Sequence, residues 1–367
     1  MSGSNNDALR PYDGLLLISF GGPESPEEVM PFLLRVTAGR GISQERLDTV
    51  AERYLAHGGV SPINAETRSL AEALRAELAQ RGIDLPLEIG NRNSPPFLSA
   101  ALRRLAEAGA TRVLSMTTSA YQSYASCRQY LENVADALTE VPGDLQVDRI
   151  RHYAHHPGFV YANVAAVTEA IDRLPAGASR TGAHIVFVTH SLPVEMAESS
   201  GPPPHASPGG YVDWHRTVAA NIAAQVGHER GRDAAWDLAY CSRSGSPHQP
   251  WLEPDVKDVL ARLADSGVRQ VVLAPIGFTS DHMEVVFDLD EDAVPAGEAL
   301  GLQVVRAATA RTHPAFIRGL ADLFLERAAQ ARGEMVLPEV INNGSPGRYE
   351  CPAGCCPHLT RRSAPTA

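Results

Sequence analysis

The sequence predicts an α/β fold of two related Rossmann-like domains, each a parallel β-sheet flanked by helices. Three observations lead there. Short apolar runs alternate with longer amphipathic ones, the pattern of parallel sheets covered on both faces. Two stretches, LRRLAEAGATRVLSM at 102–116 and LARLADSGVRQVVLA at 260–274, align without a gap, matching Leu105 with Leu263 and Gly109 with Gly267. Each reads as a helix, a glycine at its C-terminal end and a buried strand. The chain has 367 residues, 44% of them hydrophobic, enough for two cores.

In order, 14–20 (GLLLISF) reads as a strand that ends at the turn Gly21-Gly22-Pro23. A helix follows at 64–82, a strand at 86–91, a helix at 97–108, a strand at 111–117 and a helix at 123–139. In the second half, AHIVFVT (183–189) is a strand, 210–227 a helix, 234–241 a strand, 254–266 a helix and 268–275 a strand. A last helix spans about 313–332. Residues 197–209 (AESSGPPPHASPG) break the pattern, and their prolines favour an extended loop beside the strand that ends at His190. The expected division is a flexible N-terminus over 1–11, a first domain over 12–140 and a second over 141–312. A helix over 313–335 packs back on the first domain, and a cysteine-bearing extension covers 336–367, ending in the polar, disordered tail SAPTA.

The net charge is −11, from 32 basic and 43 acidic residues, with no dense Lys/Arg run, so nucleic acid is a poor partner. No apolar window is long enough for a membrane span, and the polar start MSGSNNDALR lacks the apolar core of a signal peptide. The expectation is a cytoplasmic protein, and a monomer.

Two segments carry chemistry. FVTHSLP places His190 at the end of an apolar run, and PIGFTSDHMEVVFDLD places Asp281, His282, Glu284 and Asp288 after another. Ligands of open α/β sheets bind at the carboxyl ends of strands. An imidazole and a carboxylate meeting there suit a borderline divalent metal or proton removal. The bland alternatives are a strand-end histidine bonded to a nearby carbonyl, and an acidic helix start. With a helix beginning near Ser280, the spacing of Asp281, Glu284 and Asp288 puts them on one face. Helix capping accounts for Asp281 well and for Asp288 poorly.

Cys351, Cys355 and Cys356 lie in CPAGCCP. Clustered cysteines in a long cytosolic chain favour a metal over disulfides. A [2Fe–2S] centre usually takes four thiolates, and Cys127 is the natural fourth. A structural Zn²⁺ and a tail with incidental thiols are alternatives. Cys241, at a strand end, reads as an inert core thiol.

Together these segments resemble the ferrochelatases, enzymes that insert Fe²⁺ into a porphyrin. The resemblance covers roughly residues 12–330: SFGGPESPEEVMPFL, RYLAHGGVSPIN at 53–64, VTHSLP at 188–193, AYCSRSG at 239–245 and PIGFTSDHMEVVFDLD at 275–290. It implies a class I chelatase-like fold and catalysis by His190 and Glu284, which also meet the Fe²⁺ substrate. Asp281, His282 and Asp288 would support them as an acidic proton path. Arg53, Tyr54, Ser61 and Tyr124 match porphyrin-contacting positions, and Arg53 and Arg40 are candidates for propionate contacts. Where some bacterial members carry an iron-facing tyrosine, this chain has Phe20, which cannot ligate. The C-terminal cysteines resemble the cluster-bearing actinobacterial subgroup, which implies a [2Fe–2S] cofactor on Cys127, Cys351, Cys355 and Cys356. That lineage implies coproporphyrin III as substrate, with protoporphyrin IX as the alternative. Rival functions are a cobalt or nickel chelatase and a non-catalytic tetrapyrrole or iron–sulfur sensor.

Overall fold

The computed structural model describes residues 5–39, 41–175, 182–207, 209–244 and 249–359. Arg40 and the tail SAPTA lie outside the described residues. The first half runs β1 (Gly14–Ser19), α1 (Pro26–Val36), α2 (Gln44–Ala56), α3 (Ile63–Gln80), β2 (Leu87–Asn91), α4 (Leu98–Glu107), β3 (Arg112–Thr117), α5 (Gln129–Leu138) and β4 (Gln146–Arg149). The second half opens with α6 (Pro157–Arg173), β5 (His184–His190), α7 (Val194–Glu198), α8 (Gly209–Arg230), β6 (Trp236–Cys241), α9 (Val256–Asp265) and β7 (Gln270–Ala274). It closes with α10 (Met283–Val285), α11 (Val294–Ala299), β8 (Gln303–Arg306) and α12 (Pro314–Ala331). Tyr124–Arg128 and Val286–Ala293 are π-helical.

Two four-stranded parallel sheets result, in the orders β2-β1-β3-β4 and β6-β5-β7-β8. The windings are the same, so the duplicated stretches fall at equivalent places, α4–β3 and α9–β7. The glycines that end their helices, Gly109 and Gly267, take left-handed φ values of +92° and +88°, as a helix-terminating glycine does. Strands β1 and β7 are buried along their whole length, which explains why they read as continuous apolar runs and not as alternating ones.

The largest apolar cluster joins one face of both sheets through α3, α6, α8 and α12. α12 packs against both α6 and α3. Two further clusters cover the outer faces with α4 and α5, and with α9 and the second π-helix. A fourth, small cluster lies within the α1–α2 hairpin. Of residues 1–11, expected to be flexible, Asn6–Leu9 form a 3₁₀ turn whose Leu9 is fully buried.

Helices α1, α2 and α6 and strands β4 and β8 are additions to the expected elements. α6 buries residues on several sides at once, which erases the polar face that a helical period needs. β4 and β8 are four-residue edge strands with polar ends. Among the described residues no helix is long and apolar enough to cross a membrane.

Candidate active site

β5 and β7 lie where the winding of the second sheet reverses, and their carboxyl ends form the mouth of a cleft. His190 is the last residue of β5. Its backbone is fixed from below: Tyr211 Oη donates to the His190 carbonyl at 2.9 Å and bonds Thr189 Oγ1 at 2.8 Å. Thr189 Oγ1 also lies 2.8 Å from Nε2 of His215, which is fully buried. The chain leaving β7 crosses β5 so closely that a Cβ on Gly277 would lie 2.7 Å from the Thr189 Cα.

The His190 Nδ1–H donates to the Ser191 carbonyl at 2.5 Å. Nε2 therefore carries the lone pair of the neutral ring. It faces Glu284, with 3.7 Å between Nε2 and Oε2. That is too long for a hydrogen bond, and close enough for strong charge coupling. Burial pushes the His190 pKa down, but Glu284, the Ser191 carbonyl bond and the Asp288 charge together outweigh it, and the net shift is upward. For Glu284, burial acts upward, and His190 and His282 together overcome it and bring the carboxyl down to about 2. The strand-end histidine thus makes the ordinary carbonyl bond and still offers its second nitrogen to the cleft.

Glu284 sits on the short α10, after His282 at the N-cap. His282 Nδ1 is 3.9 Å from Glu284 Oε2, its ring packs edge-on to Phe278, and burial lowers its pKa. The helix begins at Met283, not near Ser280, and continues as the π-helix Val286–Ala293. Asp281 therefore lies ahead of the helix and off its face. It accepts from both Arg306 Nη atoms (3.3 and 3.1 Å) and from Thr309 Oγ1 (3.0 Å). Asp288, four residues on from Glu284, lies in this π turn, a feature common at functional sites, and the Glu284 charge acts on it. Ser242, whose backbone is left-handed (φ +60°), donates its hydroxyl to the Asp288 carboxylate. Burial raises the Asp288 pKa. Beside it lies a polar cavity of about 160 Å³ lined by Cys241, Ser242, Lys257, Asp255 and Asp292 among others.

The end of α2 faces this wall. Burial, with a further contribution from the Glu284 charge, raises the Tyr54 pKa, and the charge of Arg53 acts on Asp288. Tyr54 packs on Phe32, and so does Phe20, beneath the Arg92 guanidinium. Phe20 thus contributes apolar wall. Ser61 is buried under Gly22. Tyr124, on the first π turn, donates to Glu132 at 2.9 Å and packs edge-on to His358.

An imidazole–carboxylate pair at a sheet mouth, faced by an arginine and an aromatic wall, fits metal transfer into a planar ligand. The sequence profile of the ferrochelatases matches residues 12–328, most of the chain. The chain belongs to the ferrochelatase family. It is 49% identical to the coproporphyrin III ferrochelatase of Streptomyces coelicolor, covering 96% of both chains. With that of Streptomyces griseus it shares 48%, covering 95% of this chain and 94% of the relative. Among solved structures, SirB from Bacillus subtilis, determined with Fe3+, has a TM-score of 0.52 at 13% identity, covering 89% of this chain and 99% of that one. It shares the fold of two sheets flanked by helices.

In this family member, the cysteines of the extension meet the body. Cys355 and Cys356 have their sulfurs 4.0 Å apart. Cys127 lies beside Cys351 and Cys356, and Cys351 beside Cys355, so that their proton affinities depend on one another. Arg149 donates to Cys127 Sγ and to Cys351 Sγ, each at 2.9 Å. Gly201 donates its N–H to Cys356 Sγ at 3.1 Å and accepts from the Cys356 N–H. Hydrogen bonds from Cys127 and Cys355 bring the Cys351 thiol down to about 2, while donation to Cys351 pushes Cys355 up to about 12. Among the described residues no three His, Cys, Asp or Glu side chains gather tightly enough for a single ion. The four thiols share this site with the Arg149 guanidinium. Cys241 stands apart, buried, with its thiol pKa raised by burial.

Ser242, Tyr211 and His215 are site residues that the sequence reading missed. AYCSRSG pointed to Ser242, but nothing local signals that its hydroxyl reaches Asp288.

Proposed function

We propose that this chain inserts Fe²⁺ into coproporphyrin III in haem biosynthesis, and that His190 and Glu284 carry the chemistry. The facing of Nε2 and Oε2 at 3.7 Å is the observation on which this rests. The names of the Streptomyces relatives support the porphyrin. Two pyrrole protons must leave as Fe²⁺ enters. His190 takes one at Nε2, since Nδ1 already donates to Ser191. Its raised pKa depends on the Glu284 charge. Iron arriving at Glu284 neutralises that charge, lowers the His190 pKa and frees Nε2 to act as a base. The second proton passes to Asp288, whose pKa burial raises, and His282 and Asp281 orient the turn that holds Glu284. Arg53 and Tyr54 contact the macrocycle, and Ser61 and Tyr124 complete its surroundings.

A [2Fe–2S] cluster is assigned to Cys127, Cys351, Cys355 and Cys356. Such a centre, when bound, supplies one-electron chemistry and a clamp. Here the residues themselves tie the extension to β4 through Arg149 and to the loop after α7 through Gly201. A cytoplasmic monomer is the accompanying reading, in keeping with five free cysteines.

The test is anaerobic incubation with Fe²⁺ and either coproporphyrin III or protoporphyrin IX, followed by absorbance. Faster metallation of coproporphyrin III is expected. Preference for protoporphyrin IX overturns the substrate assignment, and porphyrin binding without metallation favours a sensor.

A further inference from the structure

The second sheet runs out at His190. β5 pairs with β7 only from His184 to Phe187, and the Gly277 N–H donates to the Val188 carbonyl at 3.1 Å. On the β6 side the pairing continues to the end of the strand. His190 lies opposite Cys241, and the Ser191 N–H donates to the Cys241 carbonyl at 2.8 Å. The peptide between His190 and Ser191 is thus held on its N–H side by a strand. On its carbonyl side β7 has already ended, and the donor is a side chain, the hydroxyl of Tyr211 at 2.9 Å.

The protons of this buried group can be counted. Thr189 and His215 are fully buried and Tyr211 nearly so, and burial keeps His215 neutral. His215 Nδ1 lies 2.7 Å from the Tyr211 carbonyl. A carbonyl only accepts, so Nδ1 carries the ring proton and Nε2 the lone pair. Thr189 gives its one hydroxyl proton to that Nε2, 2.8 Å away. At the 2.8 Å contact between Thr189 and Tyr211, Tyr211 is therefore the donor. Its single proton serves both Thr189 Oγ1 and the His190 carbonyl, a three-centre bond. The tyrosine is also fixed by packing. Its ring lies 4.4 Å from that of His215, which stacks on Tyr121 at 3.5 Å. α8 starts so close to α7 that a Cβ on Gly209 would lie 2.5 Å from the Glu198 Cα.

We propose that Tyr211 is a positioning residue for the His190 imidazole: its hydroxyl stands in for the missing strand and so keeps the ring proton on Nδ1 and the lone pair on Nε2. Nδ1 bonds the Ser191 carbonyl, one residue on, and that carbonyl follows the orientation of the peptide that Tyr211 holds. Without the hydroxyl, the His190 carbonyl is left buried and without its donor, which drives the peptide to tilt. Ser191 then moves away from Nδ1. The neutral ring populates the tautomer with its proton on Nε2, the nitrogen that faces Glu284. Such a ring cannot accept a pyrrole proton there. This rests on reading His190 as the proton acceptor, and Tyr211 itself touches no reacting atom.

The test uses variants of the full chain. Tyr211→Phe removes the hydroxyl and keeps the ring. Thr189→Val removes the competing acceptor, so that Tyr211 serves His190 alone. Tyr153→Phe deletes another buried hydroxyl that bonds a strand-end carbonyl, that of Thr117 at 2.7 Å in the first sheet, and is the control for lost stability. Long-range ¹H–¹⁵N spectra of the histidine-labelled proteins, without metal or porphyrin, read the tautomer. The His190 signals are those absent from His190→Gln. Turnover and KM are measured with coproporphyrin III and Fe²⁺. Tyr211→Phe should move the His190 proton towards Nε2 and lower kcat by about 10- to 100-fold, with the porphyrin KM unchanged. Tyr153→Phe should keep the tautomer and kcat, and Thr189→Val should keep the tautomer. A wild-type His190 spectrum in Tyr211→Phe overturns the proposal. If that variant does not fold, Thr189→Val decides: a retained Nδ1 proton supports Tyr211 as the holder, and its loss overturns it. A changed tautomer with unchanged kcat leaves the positioning by Tyr211 in place and removes His190 as the proton acceptor.

Discussion

Nε2 of His190 and Oε2 of Glu284 face each other at 3.7 Å, while Nδ1 of the same ring is tied to the Ser191 carbonyl. One side of the imidazole is fixed and the other is available. The protonation of each partner depends on the charge of the other, so a cation bound at one alters the proton affinity of the other.

Replacement of either partner should therefore stop chemistry more than binding. His190→Ala is expected to lower metallation by about 10²- to 10⁴-fold, the range for a lost general base, with porphyrin affinity largely kept. Glu284→Gln keeps the shape and removes the charge. It should cost far more turnover than Asp265→Asn at the far end of α9. Steady-state turnover and fluorescence titration of each variant check this, and near-wild-type turnover by His190→Ala removes that residue from the mechanism.

Gly277→Ala should damage the site through packing alone. The new Cβ would meet Thr189 at its Cα, Cβ and Oγ1. Backbone cannot swing away as a side-chain tip can, so β5 or the β7 exit must shift. Overpacking of this kind costs about 1–3 kcal/mol, and here the shift also displaces His190. Urea unfolding should show the loss of stability, and turnover should fall even in conditions where the variant stays folded. Wild-type values of both would show that the crossing is looser than described.

The purified protein should be coloured when produced with adequate iron, and dithionite should bleach the colour. Cys355→Ser should abolish it, whereas Cys241→Ser should not, because Cys241 lies away from the other four thiols. Loss of the centre should also free the extension, since ligation adds folding free energy only when the metal is present. Limited proteolysis of Cys356→Ser should cut within 335–359 while turnover at low temperature persists. Stoichiometric zinc without sulfide would replace the iron–sulfur assignment.

Stability should fall as the pH drops below about 6.5. Burial lowers His215 to about 3 and His156 to about 4. Both stay neutral in the folded protein while the unfolded chain takes up protons near the ordinary histidine value. The unfolded state then binds more protons, so stability rises with pH across this window and is lost towards pH 4. Two such groups give on the order of 2–3 kcal/mol per pH unit. His57 and His190, shifted upward, act in the opposite sense over a narrower range. Urea unfolding at pH 7, 6 and 5 measures the slope, and a flat profile would contradict the buried neutral state of His156 and His215.

Much of the framework was legible because it is written locally. The apolar runs of β1, β5 and β7, the glycines after α4 and α9, and the duplicated stretches all follow from near-neighbour patterns. His190 and Glu284 stood out because each follows a buried strand. The missing elements fail that test. α6 is apolar on several sides, β4 and β8 are too short to show a period, and α1 contains an internal proline, Pro31, that reads as a break.

The sequence by itself determined two parallel sheets of the same winding, a reactive imidazole and carboxylate at strand ends, and cysteines set aside in an extension. Tertiary structure decided which of these groups meet. Asp281 shares a motif with Glu284, yet Arg306 and Thr309 hold it, because the helix starts three residues later than its spacing implies and β8 delivers a guanidinium there. Asp288 stays near Glu284, as helical neighbours four residues apart do, and Ser242, just past the end of β6, reaches it. Cys127 joins the extension through Arg149 on β4, a strand too short to be seen in the sequence. Local periodicity records which face of an element is buried. Which distant side chain lies opposite depends on strand order and on how the shared core draws the two sheets together, and no near-neighbour pattern carries that information.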